Sequence, residues 1–151
     1  SGRNHKKALE VLVDESPIFD VFQVTYNFLD QSFLAIANEL IRQKKSIVIK
    51  EALANGRVFP NTNYQNYTAM YGKLKDLTLK YNVGVDAIAL QFCLQSIPNA
   101  TVLSGASSTK QLHQNLKASS LLLSDEDMKT LQSFNISPEF YWSERKQLQW
   151  N

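Results

Sequence analysis

The chain alternates short apolar runs with longer stretches in which apolar residues recur every three or four positions. That alternation predicts an α/β unit, with strands and helices following one another and the strands pairing in parallel. From His5 to Glu15, residues Ala8, Leu9, Leu12 and Val13 share one helical face, and Ser16-Pro17 ends the segment. Asp20 to Tyr26 is rich in strand formers: Val21, Phe22, Val24 and Tyr26. Ser32 to Lys44 predicts an amphipathic helix through Phe33, Ile36, Ala37, Leu40 and Ile41, and Ser46 to Ile49 a short covered strand. Asn55-Gly56 signals a turn, and Arg57 to Asn66 a polar loop. Tyr67 to Tyr81 predicts a helix with Leu74, Leu77 and Tyr81 on one side, ended by Asn82-Val83-Gly84 with Gly84 as candidate left-handed cap. Val85 to Gln95 predicts a buried helix, and Thr101-Val102-Leu103 a strand buried on both faces. Helices follow over Gln111 to Ser119 and from Ser124, the second with Ser124 as N-cap and an acidic first turn. Beyond Ser137-Pro138 no period stands out. The order is αβαβααβαα, without internal repeats: one domain, or half of one.

Composition narrows the function classes. With 44% hydrophobic and 20% charged residues and a formal charge of +2, the chain has no basic stripe for nucleic acid. It also has no apolar run long enough for a bilayer. A single cysteine, Cys93, excludes an internal disulfide and points to a reducing, cytoplasmic compartment; within its apolar helix it reads as a buried, inert thiol. His5 and His113 read as solvated helix residues, and two histidines and one cysteine give no metal-binding spacing.

The candidate chemistry lies in Thr101 to Ala118, TVLSGASSTKQLHQNLKA. A short strand is followed by small residues, Ser104 to Ser108, and then a helix beginning near Thr109. Small residues let backbone N–H groups approach a ligand, and a helix N-terminus favours an anion. The same pattern is compatible with a merely capped helix start, with Ser107 or Ser108 as N-cap.

The segment GASSTKQLHQNL resembles the cofactor-binding segment near the C-terminus of aldo-keto reductases. Phe22-Gln23-Val24-Thr25-Tyr26-Asn27 is similar to that family's sixth barrel strand and the loop beyond it. IVIKEALANG, Ile47 to Gly56, is similar to the seventh strand and its loop, and the ending from Phe140-Tyr141-Trp142 to Trp150-Asn151 to the tail of some members. The resemblance implies the C-terminal half of a (β/α)8 TIM barrel, about strands 6–8 with their helices, spanning residues 1–151. A complete barrel needs about 250 residues.

The resemblance further implies an NAD(P)H-dependent oxidoreductase that reduces a small-molecule carbonyl to an alcohol. Its catalytic tetrad would lie upstream, so no catalytic residue is assigned in this chain, which alone would be inactive. NADPH is the expected cofactor, with NADH as the other candidate. Ser1 and Gln23 match positions at the nicotinamide amide, although Gly2 stands where an asparagine is usual, and Lys50 stands where many members stack an aromatic ring. Ala52, Leu53 and Gly56 match the pyrophosphate loop. Gly105, Ser107 and Gln111 match positions around the 2′-phosphate and ribose, and Gln114 and Asn115 the adenine pair. Tyr26 and Asn27 fit loop packing equally well. Arg57 suits a phosphate or solvent equally, and the tail aromatics read as packing. A half barrel would expose edges open to self-association. The alternative is a non-catalytic nucleotide-binding or channel-subunit-like interaction module.

Overall fold

The computed structural model describes residues 7–8 and 10–148. Their centre is a three-stranded parallel sheet of order β3-β4-β5, formed by β3 (Val21–Thr25), β4 (Ser46–Lys50) and β5 (Thr101–Val102). Gln23 pairs with Val48, and Val48 with Thr101. Alternation then sorts the side chains. Phe22, Val24, Ile47 and Ile49 are buried in the core, while Val21 and Gln23 on the other face are exposed and Val48 is half-buried. The helices therefore cover one face of the sheet.

Helix α1 (Leu34–Arg42) follows β3 and buries Ala37 and Leu40. Two helices separate β4 from β5: α2 (Thr68–Tyr81) and α3 (Val85–Ser96). All seven residues from Ala87 to Cys93 are buried in α3, which packs against α2, β5 and the turns that follow. The Tyr26 and Phe92 rings stack with centroids 5.7 Å apart. Cys93 lies in this core, its Sγ 3.4 Å from the Tyr26 carbonyl, and burial pushes its thiol pKa well up. After β5 come α4 (Thr109–Leu116), α5 (Asp125–Gln132) and α6 (Pro138–Lys146). Ser108, Ser124 and Ser137 cap them, each accepting a hydrogen bond from a backbone N–H of the first turn. Among the described residues no helix is long and apolar enough to cross a membrane.

The structure departs from the sequence expectations at several places, among them β4, which is covered on one face only, with Ser46 exposed and Val48 half-buried on the other. Residues 12–17 are not helical but an antiparallel hairpin, β1 (Leu12–Val13) with β2 (Ser16–Pro17), turning through Asp14 and Glu15 at φ 48° and 64°. The apolar spacing there fits either period, and no partner element buries the helical face: residues 11–20 are all exposed. The left-handed residue after α2 is Asn82, at φ 52°, and not Gly84, which is the extended N-cap of α3. Thr101 is exposed, Val102 half-buried and Leu103 43% exposed, because β5 is an edge strand whose second face none of the described residues covers. The tail forms helix α6, started by Pro138 in its first turn.

Candidate functional site

The loop after β4 and the turn after β5 lie side by side, because both leave the C-terminal ends of paired parallel strands. Between them is an open cleft of about 260 Å³, walled by Glu51, Ala52, Leu53, Asn55, Leu103, Ser104 and Gly105. Clefts at this end of parallel strands are where ligands of α/β folds bind.

The first wall is bent backbone. Glu51, Ala54 and Asn55 have φ of 59°, 47° and 54°, and Gly56 follows at 86°. Side chains other than glycine occupy this region at a cost, so the surrounding structure must hold the loop. Within it, Ala54 N donates to Glu51 O at 2.8 Å and Gly56 N to Leu53 O at 2.9 Å. From outside, the fully buried Asn27 donates from Nδ2 to Glu51 O at 2.9 Å and to the Tyr141 hydroxyl at 3.0 Å. Its Oδ1 accepts from Leu29 N and Asp30 N, so every hydrogen-bonding position of the amide is used.

The Glu51 side chain is held from α6. Arg145 meets its carboxylate as a fork, with Nε 2.8 Å and Nη2 2.6 Å from Oε1, and Tyr141 donates to Oε2 at 3.1 Å. Lys50 Nζ stands 3.8 Å from the same carboxylate. Arg57 lies behind the loop, neither at a phosphate nor in solvent. Fully buried, it donates to Ala54 O, Tyr141 O and Glu144, and its guanidinium sits 4.0 Å over the Tyr141 ring. Tyr67 also donates to Glu144; burial first, then that carboxylate, pushes its hydroxyl pKa well up.

The second wall is the turn into α4. Gly105 has φ 64° and open space where a side chain would begin. Ser108 caps the helix, and Gln111 folds back so that Oε1 accepts from Ser107 N at 2.8 Å and Ser107 Oγ at 2.9 Å. The donors at this helix start are thus turned towards one amide oxygen. Next to the cleft, sharing Ser104, is a smaller apolar hollow of about 150 Å³ between α3 and α4, lined by Leu90, Leu94, Val102, Leu112, Asn115 and Leu116 among others. The buried Asn115 pins its rim, donating from Nδ2 to Ser104 O at 3.0 Å.

The structure brings Ala52, Leu53 and Gly105 into one cleft, with the Ser107–Gln111 pair on the same turn and Asn115 in the adjoining hollow. Gly56 is exposed on the loop without lining the cleft, and Gln114 is half-buried on α4 without lining either space. Gln23 lies on β3, the strand beside β4, on the sheet's exposed face and outside the cleft. Ser1, like Gly2, His5 and Trp150, is outside the described residues. Sequence reasoning missed Glu51, Arg57, Tyr141 and Arg145 as a group. The available signal was Ser137-Pro138, a cap followed by a first-turn proline, which starts a helix with Tyr141 and Arg145 one turn apart. No group of three or more metal-ligating side chains comes together among the described residues.

Comparison with known proteins bears on this arrangement. Aldo-keto reductase AKR11C1 from Bacillus halodurans, holo form, is 23% identical over 88% of this chain and 46% of its own length, with a TM-score of 0.60. The thermostable aldo-keto reductase Tm1743, solved with the inhibitor epalrestat, is 23% identical over 76% of this chain and 39% of its own, with a TM-score of 0.60. A Gox0644 variant in complex with NADPH is 15% identical over 78% of this chain and 38% of its own, with a TM-score of 0.60. The chain therefore spans less than half the length of these structures, and at such identity the likeness concerns the fold. No curated protein matches the chain. The model of the aldo/keto reductase family matches residues 3–136, the greater part of the sequence, and so the chain belongs to the aldo/keto reductase family.

Proposed function

We propose that the chain carries the dinucleotide-binding part of an NADPH-dependent oxidoreductase that reduces a carbonyl to an alcohol. Residues 1–151 are then the C-terminal part of the barrel domain, with β3, β4 and β5 as its sixth to eighth strands. The observation that carries the reading is the cleft at the C-terminal ends of β4 and β5, between two bent turns and beside the start of α4. The NADPH held by the Gox0644 variant supports the choice of nucleotide.

The donor set fits a dinucleotide. Ala52 and Gly105 are small residues on facing walls of the cleft, which lets a diphosphate approach the backbone there. Ser107 N and Oγ are two donors for a phosphate oxygen once Gln111 turns away, and Gln111 is then free for a ribose hydroxyl. The apolar hollow offers a flat base a seat, with Gln114 and Asn115 at hand for its polar edge. Gln23, and Ser1 with it, serve the nicotinamide amide, and Gly56 completes the loop. Bound NADPH supplies the hydride. This chain's residues bind and orient, and the proton donor is assigned to upstream sequence, so the chain alone does not turn over substrate.

The test is titration of the purified chain with NADPH and NADH, followed by intrinsic tryptophan fluorescence. Saturable binding is expected, tighter for NADPH. Asn115→Ala should weaken it about tenfold, because Ser104 loses its tether at the junction of cleft and hollow. A folded chain that binds neither nucleotide in the millimolar range overturns the reading.

A further inference from the structure

Resting on that reading, we propose that Arg145 of the C-terminal helix is a positioning and specificity residue for the phosphate part of the ligand, acting through Glu51. Glu51 lines the cleft, and its side chain is only 7% exposed. A carboxylate at that wall repels any anion that enters; among the described residues no arginine or lysine lines the wall, and Lys50 beside it comes no nearer the carboxylate than 3.8 Å. The charge is cancelled from behind by Arg145, whose fork meets both carboxylate oxygens, with the Tyr141 hydroxyl on one of them. An arginine fork of this kind fixes the orientation of the carboxylate as well as its charge. Glu51 is also the first left-handed residue of the bent loop, and its carbonyl accepts from Asn27 and Ala54. The same residue therefore couples the charge of the cleft and the shape of its wall to the docking of α6.

Two consequences follow. A ligand carrying phosphates binds better when α6 is docked, and by reciprocity such a ligand stabilises the docked helix. A ligand without phosphates is indifferent to the charge.

The experiment titrates the wild type, Arg145→Ala, Arg145→Lys and the double variant Arg145→Ala/Glu51→Gln with NADPH and with adenosine. Circular dichroism of each variant checks that it is folded. Arg145→Ala is expected to weaken NADPH about tenfold, with a loss that shrinks as salt rises, since the Glu51 charge facing the phosphates loses the fork and keeps the weaker pairing with Lys50 at 3.8 Å. Adding Glu51→Gln should recover most of that loss. Arg145→Lys, which keeps the charge without the fork, should fall between, and it carries the test should Arg145→Ala not fold. Adenosine affinity should stay the same throughout. Lys80→Ala, in a separate network between α2 and α5, controls for general destabilisation and should leave NADPH binding unchanged. Unchanged NADPH affinity in Arg145→Ala, or failure of Glu51→Gln to restore it, overturns the proposal while the nucleotide reading stands. Absence of NADPH binding by the wild type overturns the nucleotide reading and this proposal together.

Discussion

Arg57 is an arginine in a place where a charge is costly. It is fully buried, and its three acceptors are two main-chain carbonyls, from Ala54 and Tyr141, and the Glu144 carboxylate at 3.1 Å. Nη2 has no hydrogen-bond partner, so the residue is tolerated through the Glu144 charge and the Tyr141 ring face. Removing only one partner of a buried pair leaves the other uncompensated. Arg57→Met should therefore destabilise the fold by about 3–5 kcal/mol, and Arg57→Met/Glu144→Leu by less than the single change, measured as urea unfolding free energies. Equal loss in both would mean that the guanidinium's packing, and not its charge, is what matters. The sequence does not announce this role. Asn55-Gly56-Arg57 in a polar stretch reads as surface, and Tyr141 and Glu144 lie 84 and 87 residues further on. The residues around Gly105 are different: strand, small turn and cap are contiguous, so Ser108 as the N-cap and the Ser107–Gln111 neighbourhood are legible locally.

At the scale of elements, helices are legible wherever a core-facing stripe repeats, as in α1 and α2, and ambiguous where a short run fits two periods. The hairpin at residues 12–17 is the clearest case, since Leu12 and Val13 suit strand and helix alike. The end of α2 is another. Gly84 was the expected left-handed cap because glycine has no steric penalty there, yet Asn82 takes φ 52° and Gly84 starts the next helix with ψ 164°. An ideal Cβ on Gly84 would stand 2.2 Å from Asp86 Oδ1, which accepts from Ala87 N at 2.9 Å in the first turn of α3. A side chain at position 84 would therefore have to displace the Asp86 carboxylate from its bond to Ala87 N. The two sites separate by substitution. Asn82→Val should cost about 1–2 kcal/mol by denaturant unfolding, because a β-branched residue pays the left-handed penalty in full. Asn82→Gly should be neutral or stabilising. A Val variant as stable as wild type would mean that α2 can end in another conformation at little cost.

For the molecule as a whole, the described residues cover one face of the sheet and leave the other open, and parallel sheets are ordinarily covered on both. Stability must come from the helical side, where two polar clusters tie distant parts of the chain. One joins α6 to the loop after β4 through Glu51 and Arg57. The other centres on Asp127 at the start of α5, whose Oδ2 accepts from Lys80 Nζ at 2.6 Å, Tyr81 Oη at 2.6 Å and Ser124 Oγ at 2.7 Å. Burial alone would raise the Asp127 pKa, but these three donors outweigh it and hold it at about 2, below its ordinary 3.8. A carboxyl that is more acidic in the folded than in the unfolded chain stabilises the fold fully above the unfolded value. That contribution fades as pH falls from 3.8 towards about 2, where the folded carboxyl takes up its proton. Other carboxylates titrate in the same window, so the quantity to measure is the difference in unfolding free energy between wild type and Asp127→Asn. It should be positive and flat above pH 5 and shrink steadily on acidification towards about 2. Lys80→Ala removes one of the three donors and should make the decline smaller and end it at a higher pH, because the folded carboxyl then becomes less acidic while the onset stays at the unfolded value. A difference that stays constant across the acid range would show that Asp127 joins α2 to α5 by its shape and hydrogen bonds alone, with no contribution from its charge.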